Sequence, residues 1–482
     1  MRTLSNYYGG EWIASKSENW GDVRNPATDE VIARVPFSTS AEVQAAIGHA
    51  RTAFQAWRET PPVERARYLF RLKNALEDRF EEISRMIVEE EGKTIGDARG
   101  EVRRMIENVE VACGIPSLMM GYNLEDVAKG IDCIAERQPI GVFAVIGPFN
   151  FPGMVPWWFA PYAVATGNTC IIKPSEQVPC TQNLIFGIVH DVGFPPGVLN
   201  LINGAKDVVD VLLEDPGVNG ICFVGSTPVA RYVYRRAAEY GKRVQALGGA
   251  KNFLVVMPDA VLEHTVQALV TSCFGAAGER CLSGSVILAV GDVYKSLRDR
   301  FVEEASQIKV GYGMEEGVQM GPLISLRHKQ RVLGYIQKGI EEGAKLVLDG
   351  RKVRVEGYPH GYFLGPTIFD EVTPDMTIAN EEIFGPVASI IRVRDLEEAL
   401  QIIRRNRYGN MACIFTQNGR WAREFKYRAE CSMLGINVGI AAPMAFFTFG
   451  GIKESFFGDL KAHGRDAIEF FTDKKVVTVR WF

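Results

Sequence analysis

Between residues 140 and 256 the chain alternates short apolar runs with longer amphipathic ones, and this alternation constrains the fold most. The apolar runs are 140–146, 169–172, 198–202, 220–224 and 253–256. Helical patterns over 181–192, 205–213 and 228–240 separate several of them. Short, wholly apolar runs bounded by turn residues read as buried strands. Strands that alternate with helices require a parallel sheet with right-handed crossovers, so the fold class is α/β. Ligands of such sheets bind beyond the carboxyl ends of the strands. Lys173, Glu176, Gly225 and Ser226 all follow strands and fall at that edge. Gly225-Ser226 opens a helix, whose free N–H groups and positive dipole end suit a phosphate; an ordinary helix cap reads the same way. The G-x-G-x-x-G dinucleotide fingerprint is absent.

A second series of strands and helices follows residue 247. It contains the loop Phe274-Gly275-Ala276-Ala277-Gly278-Glu279-Arg280-Cys281-Leu282-Ser283-Gly284, between a helical run over 261–274 and an apolar strand over 286–290. Glycines let the backbone approach a ligand closely. A fixed cation beside a thiol, here Arg280 beside Cys281, favours the nucleophilic thiolate. A lone cysteine is equally well a small buried hydrophobe.

At 482 residues, 47% hydrophobic, the chain is too long for one core and implies two or three domains. A net charge of −4 gives no basis for binding nucleic acid or an anionic membrane. The nine cysteines are scattered, without a CxxC pair or a His/Cys cluster, so no metal site is expected and a reducing compartment fits. The N-terminus lacks the apolar core of a signal peptide, and the expected location is cytoplasmic. The uncharged stretch 138–172 contains five prolines and reads as strand, turn and helix rather than a membrane span.

Residues 1–36 read as short strands. Helical patterns run from about 41 to 118, with Ser40 the expected N-cap. Residues 102, 105, 106, 109, 112 and 113 form one apolar helix face, and Arg103 and Arg104 lie on the same helix. Residues 474–482 alternate like an edge strand, which needs a partner.

Five motifs together resemble the aldehyde dehydrogenase superfamily over essentially the whole chain. They are Pro148-Phe149-Asn150-Phe151-Pro152, Lys173-Pro174-Ser175-Glu176, Phe223-Val224-Gly225-Ser226-Thr227, Gly278-Glu279-Arg280-Cys281 and Glu381-Glu382-Ile383-Phe384-Gly385-Pro386. The resemblance implies a coenzyme-binding domain over 1–116 and 139–247, a catalytic domain over 248–467, and an oligomerisation arm over 117–138 and 468–482. That arm would pair with a neighbouring subunit in a homodimer or homotetramer. Cys281 is then the expected nucleophile, and Asn150 the side chain that holds the oxyanion with the Cys281 N–H. Phe149, Lys173, Glu176, Gly225, Ser226, Glu382 and Phe384 are the expected contacts of NAD; NADP is possible, but Glu176 disfavours a 2′-phosphate.

Hydrolytic members carry a glutamate 34 residues before the nucleophile; here that position is Leu247. Leucine cannot act as a base. This departure, with Arg280 directly before Cys281, resembles the methylmalonate-semialdehyde dehydrogenase branch, which passes the acyl group to coenzyme A. There two arginines grip the substrate carboxylate, and they match Arg104 and Arg280. The resemblance therefore implies NAD-dependent oxidation of malonate or methylmalonate semialdehyde, with coenzyme A as co-substrate and decarboxylation to acetyl- or propionyl-CoA. The alternatives are a hydrolytic aldehyde dehydrogenase that releases a free acid, and a catalytically idle binding protein.

Overall fold

In the computed structural model, which describes residues 2–482, the alternating stretch builds the first of two large sheets. Its parallel middle runs, in spatial order, Arg243–Leu247, Gly220–Val224, Val142–Ile146, Thr169–Lys173 and Leu199–Leu201. Antiparallel strands close both ends, Phe456–Phe457 beside the first and Asn6–Tyr8 with Glu11–Ile13 beyond the last. Phe456–Phe457 thus sits in the first sheet although it falls within residues 248–467. Every residue of Val142–Ile146 and Thr169–Lys173 is buried. Strands covered on both faces read as unbroken apolar runs. The uncharged stretch 138–172 is accordingly strand, loop, short helix and strand. Strand order reverses between Val142–Ile146 and Gly220–Val224. The connections that leave these two strands diverge and open a crevice between them.

The second sheet has seven strands, ordered Lys345–Leu348, Thr367–Asp370, Val387–Val393, Gly284–Val290, Asn252–Val256, Met411–Phe415 and Met433–Ile436. Only the first pair is antiparallel. Cys281 lies just ahead of Gly284–Val290, and its carbonyl accepts hydrogen bonds from Asn252 Nδ2 and Asn410 Nδ2, both at 2.9 Å. The amino ends of three strands thereby fix the cysteine loop.

Helices Ser40–Glu59, Pro62–Asp78, Phe80–Glu91 and Ile95–Cys113 cover the region before the first sheet. The first is capped by Thr39, not Ser40: Glu42 N donates to Thr39 Oγ1 at 3.3 Å, and Thr39 N donates to Glu42 Oε2 at 2.7 Å. This reciprocal box needs an acid three residues after the cap. Three residues after Ser40 stands Val43, which cannot return the bond. On Ile95–Cys113 the expected apolar face is buried. Arg103 pairs with Glu77 at the surface, 2.6 Å, whereas Arg104 turns toward the interior.

The carboxyl-terminal strand Thr472–Arg480 is paired within its own chain. Its partner is Ile131–Pro139 of the same chain, matched over nine residues, with Tyr122–Ala128 on the far side. Local pairing satisfies one edge of the strand; its outer edge, with exposed Val476 nearby, stays open.

Lys93 joins three segments. Its fully buried ammonium donates to Glu101 Oε2 and to the carbonyl of Asn150, both at 2.6 Å, and lies 4.1 Å from the Phe151 ring centre. Glu101 in turn accepts Gly153 N at 2.8 Å and Met154 N at 3.1 Å. Burial pushes Glu91, 3.7 Å from Lys93, up to about 8 despite the ammonium. At neutral pH Glu91 is therefore mostly protonated, and Lys93 and Glu101 form a one-to-one pair. Removing one member of such a pair strands the other charge, at a cost of about 3–5 kcal/mol. Lys93→Met should lower unfolding stability by about that amount. A loss below about 1 kcal/mol in denaturant titration would show that the pair is not what holds these segments together.

Candidate active site

Two cavities meet at Cys281. The larger, 700 Å³, occupies the crevice and is lined by Phe149, Asn150, Glu176, Gly225, Ser226, Cys281, Glu382 and Phe384. Lys173 does not line it. It is buried, and its Nζ donates to Glu176 Oε2 at 3.0 Å, holding that carboxylate at the rim. The smaller cavity, 280 Å³, is lined by Arg104, Arg280, Asp97 and Cys281, with Trp158, Phe449 and His463. The structure thus brings together all but one of the residues singled out from the sequence, and sorts them into two chambers.

Ser226 is the N-cap of helix Thr227–Glu239 but makes no side-chain capping bond. The first-turn N–H groups therefore face the larger cavity without a capping oxygen, an arrangement that fits a phosphate. Across the crevice, four consecutive carbonyls are held by side chains. Lys251 Nζ donates to Glu381 O, Arg331 to Glu382 O and Ile383 O, each at 2.9 Å, and His328 Nε2 contacts Phe384 O at 2.6 Å. This clamp supports the positive φ of Phe384, 60°. The Glu382 carboxylate accepts Ala250 N at 2.8 Å. His328 and Arg331 are one turn apart on helix Leu326–Glu341. Their one sequence signal is that spacing, which solvated helix charges share.

Cys281 is half-buried, and its thiol is pushed up to about 12. Burial is the main cause and the Glu382 carboxylate adds to it; the opposing pull of Arg280 is the weakest influence. The expectation that Arg280 activates the thiol is therefore corrected. Arg280 Nη2 is bound to Asp97 Oδ1 on helix Ile95–Cys113, so its charge is already largely answered. Arg104 is less committed: Nη1 donates to Pro443 O at 2.9 Å and lies 3.7 Å from Glu107 Oε2. Asn150 Nδ2 donates to Glu279 O at 2.8 Å, two residues from Cys281. The Asn150 amide is thus fixed on the cysteine loop, and both residues line the larger cavity. Leu247 ends a core strand at 4% exposure and lines neither cavity. Sequence reasoning missed Asp97 and His463, each a single polar residue without a motif around it, and gave no role to Glu279 within the Gly278–Cys281 motif.

The aldehyde dehydrogenase family model matches residues 12–477. Malonate-semialdehyde dehydrogenase 1 of Geobacillus thermodenitrificans (strain NG80-2) is 50% identical over 482 residues, which cover 100% of this chain and 99% of that protein. Malonate-semialdehyde dehydrogenase 2 of Geobacillus kaustophilus (strain HTA426) is 50% identical over 481 residues, with 100% and 99% covered. Among solved structures, methylmalonate-semialdehyde dehydrogenase from Oceanimonas doudoroffii superimposes with a TM-score of 0.98 at 45% identity, covering 100% of this chain and 99% of that one. The NAD+ complex of an aldehyde dehydrogenase from Bacillus cereus gives a TM-score of 0.95 at 30% identity, with 99% and 97% covered.

A thiol raised from 9.0 to about 12 has far less thiolate at pH 8, and the higher basicity offsets only part of the loss. Cys281 should react with iodoacetamide roughly 40-fold more slowly than an unhindered thiol at pH 8, with the rate still rising above pH 10. A midpoint near 8.5, read by peptide mass spectrometry, would contradict the buried-thiol account.

Proposed function

The chain belongs to the aldehyde dehydrogenase family, and on that premise we propose that it is an NAD-dependent, CoA-acylating dehydrogenase of malonate or methylmalonate semialdehyde. The observation that carries the reading is the smaller cavity. It places two guanidinium groups, Arg104 and Arg280, on the walls of a chamber that ends at the Cys281 thiol. An aldehyde with a carboxylate at its other end fits such a chamber, because arginine answers a carboxylate with a planar, always-charged fork. The names of the relatives support the same substrate class. Residues 1–116 with 139–247 act as the coenzyme-binding domain and 248–467 as the catalytic domain. Residues 117–138 and 468–482 form the arm whose open edge seats a second copy in a dimer or tetramer.

The larger cavity fits NAD by the chemistry of its donors. The uncapped turn at Ser226 suits the pyrophosphate, and Glu176 suits ribose hydroxyls while repelling a 2′-phosphate. Glu382 and Phe384, which line the same cavity as Cys281, would hold the nicotinamide end. NAD, when bound, supplies the hydride acceptor. The Cys281 thiol gives its proton to solvent in the open cavity and adds through sulfur to the aldehyde carbon, and the oxyanion forms beside the Asn150 amide and the Cys281 N–H. Loss of hydride from that carbon leaves a thioester on Cys281. Because residue 247 is leucine, no carboxylate at that position activates water. The β-carboxylate of the Cys281 thioester departs as CO2, and a proton takes its place on carbon. The coenzyme A thiol then attacks the thioester in place of water and regenerates Cys281.

A hydrolytic reading has one observation in its favour. Burial raises the Glu382 carboxyl above its ordinary range, close enough to Cys281 to shift the thiol, so a candidate base is present although residue 247 is leucine.

NADH formation from malonate semialdehyde should rise strongly on addition of coenzyme A, with acetyl-CoA and CO2 as products. Turnover indifferent to coenzyme A, with a free acid released, would move the chain to the hydrolytic side. In the same assay Arg104→Ala should reduce kcat/KM about 10- to 100-fold for malonate semialdehyde, the equivalent of a charged hydrogen bond, and leave propanal nearly unchanged. Equal losses on both substrates would remove the carboxylate grip.

A further inference from the structure

His463 forms part of the wall of the smaller cavity, yet nothing in the folded chain uses its polar atoms. It is 3% exposed, and neither Nδ1 nor Nε2 has a hydrogen-bond partner. Buried polar side-chain atoms in native proteins are nearly always paired, so such an orphan requires an explanation. Its faces are occupied by apolar rings. Trp158 stands edge-on with centres 4.9 Å apart, and Phe449 lies at 5.7 Å. The backbone of His463 is also unusual, with φ 68° and ψ 172° at the N-cap of helix Gly464–Phe471. That region is adopted almost exclusively by glycine, and side chains held there cluster at functional sites. Two independent costs, strain and an unsatisfied imidazole, thus fall on one residue, and the fold gains no capping bond in return.

We propose that His463 is a substrate-binding residue, whose imidazole N–H donates to the distal carboxylate of the aldehyde alongside Arg104. This inference rests on the carboxylated-aldehyde reading above and assigns it a third donor. Arg104 is already shared with Pro443 O and with Glu107 Oε2, itself buried and short of a hydrogen bond. Arg280 is tied to Asp97. Of these three side chains, His463 is the one whose nitrogens have no protein acceptor at all. Burial, with the Arg104 charge, holds the ring down to about 3, so it presents one N–H and one bare nitrogen and adds no charge of its own. Both nitrogens are covered by protein atoms, so the ring turns toward the chamber to place its N–H on a ligand oxygen.

Initial rates of NADH formation with malonate semialdehyde and with propanal test this. His463→Phe keeps a ring against Trp158 and Phe449 but removes both nitrogens. It should raise KM for malonate semialdehyde about tenfold or more, with kcat within about threefold and propanal kinetics unchanged. His463→Gln restores an N–H donor and should stay within about threefold of the parent enzyme. Should the phenylalanine variant not fold, His463→Gly removes the ring at a backbone conformation glycine adopts freely, with the same expected pattern. Equal effects on both aldehydes, or no effect on either, would overturn the proposal. Arg104→Ala, measured in parallel, separates the two levels. If it discriminates between the aldehydes and His463→Phe does not, only the histidine role is wrong; if neither discriminates, the carboxylate reading fails with it.

Discussion

The buried ammonium of Lys93 is the interaction on which the site's geometry depends. It lies in the turn between helices Phe80–Glu91 and Ile95–Cys113, and reaches both Glu101 on the second helix and the carbonyl of Asn150 beyond the first sheet's central strand. Helix Ile95–Cys113 carries Asp97, which holds Arg280, and Arg104. The loop after Val142–Ile146 carries Phe149 and Asn150. One side chain therefore sets the helix that walls the smaller cavity against the loop that floors the larger. Buried ion pairs add little net stability compared with apolar packing of the same shape. In this chain the pair fixes position, which a greasy contact would do less sharply.

The charges around Cys281 are arranged to be answered before a ligand arrives. Arg280 is bound to Asp97, Glu382 to Ala250 N, Glu176 to Lys173, and Arg104 partly to Pro443 O. The thiol beside them is protonated, since burial and Glu382 outweigh Arg280. Such a centre is quiet toward stray electrophiles.

Four of the nine non-glycine residues with positive φ among the described residues lie along the same seam. Ala276 and Ala277 both take positive φ, 48° and 52°, immediately before Gly278 and the Cys281 loop; Phe384 and His463 do so on either side of it. Left-handed geometry costs a residue with a Cβ on the order of 1–2 kcal/mol. The alanines are buried, and Phe384 is held by the clamp from His328 and Arg331. The surrounding core over-determines these conformations, which is how strained residues persist where a ligand is met.

The α/β class, the strand and helix alternation from 140 to 256 and the landing of Glu176, Gly225 and Ser226 at the sheet edge were legible because each depends on neighbours in sequence. Strands buried on both faces announce themselves as apolar runs, and loops that follow them inherit the edge by topology alone. The Cys281 loop was legible in the same local way, as small residues around one thiol. Local pattern failed where a partner came from far away. Arg280 was read as an activating cation, but Asp97, 183 residues earlier, takes its charge. The terminal strand showed that it needs a partner, but nothing local named residues 131–139, which pair with it. His463 had no signal at all, since its strained backbone and unpaired ring exist only once Trp158, Phe449 and Arg104 surround it. Sequence determined which segments are strands and helices and which loops meet at the crevice, because hydrophobic period and turn chemistry act over a few residues. Tertiary structure alone decided which charges are free and which are spent, because electrostatic pairing and burial are set by distance through space.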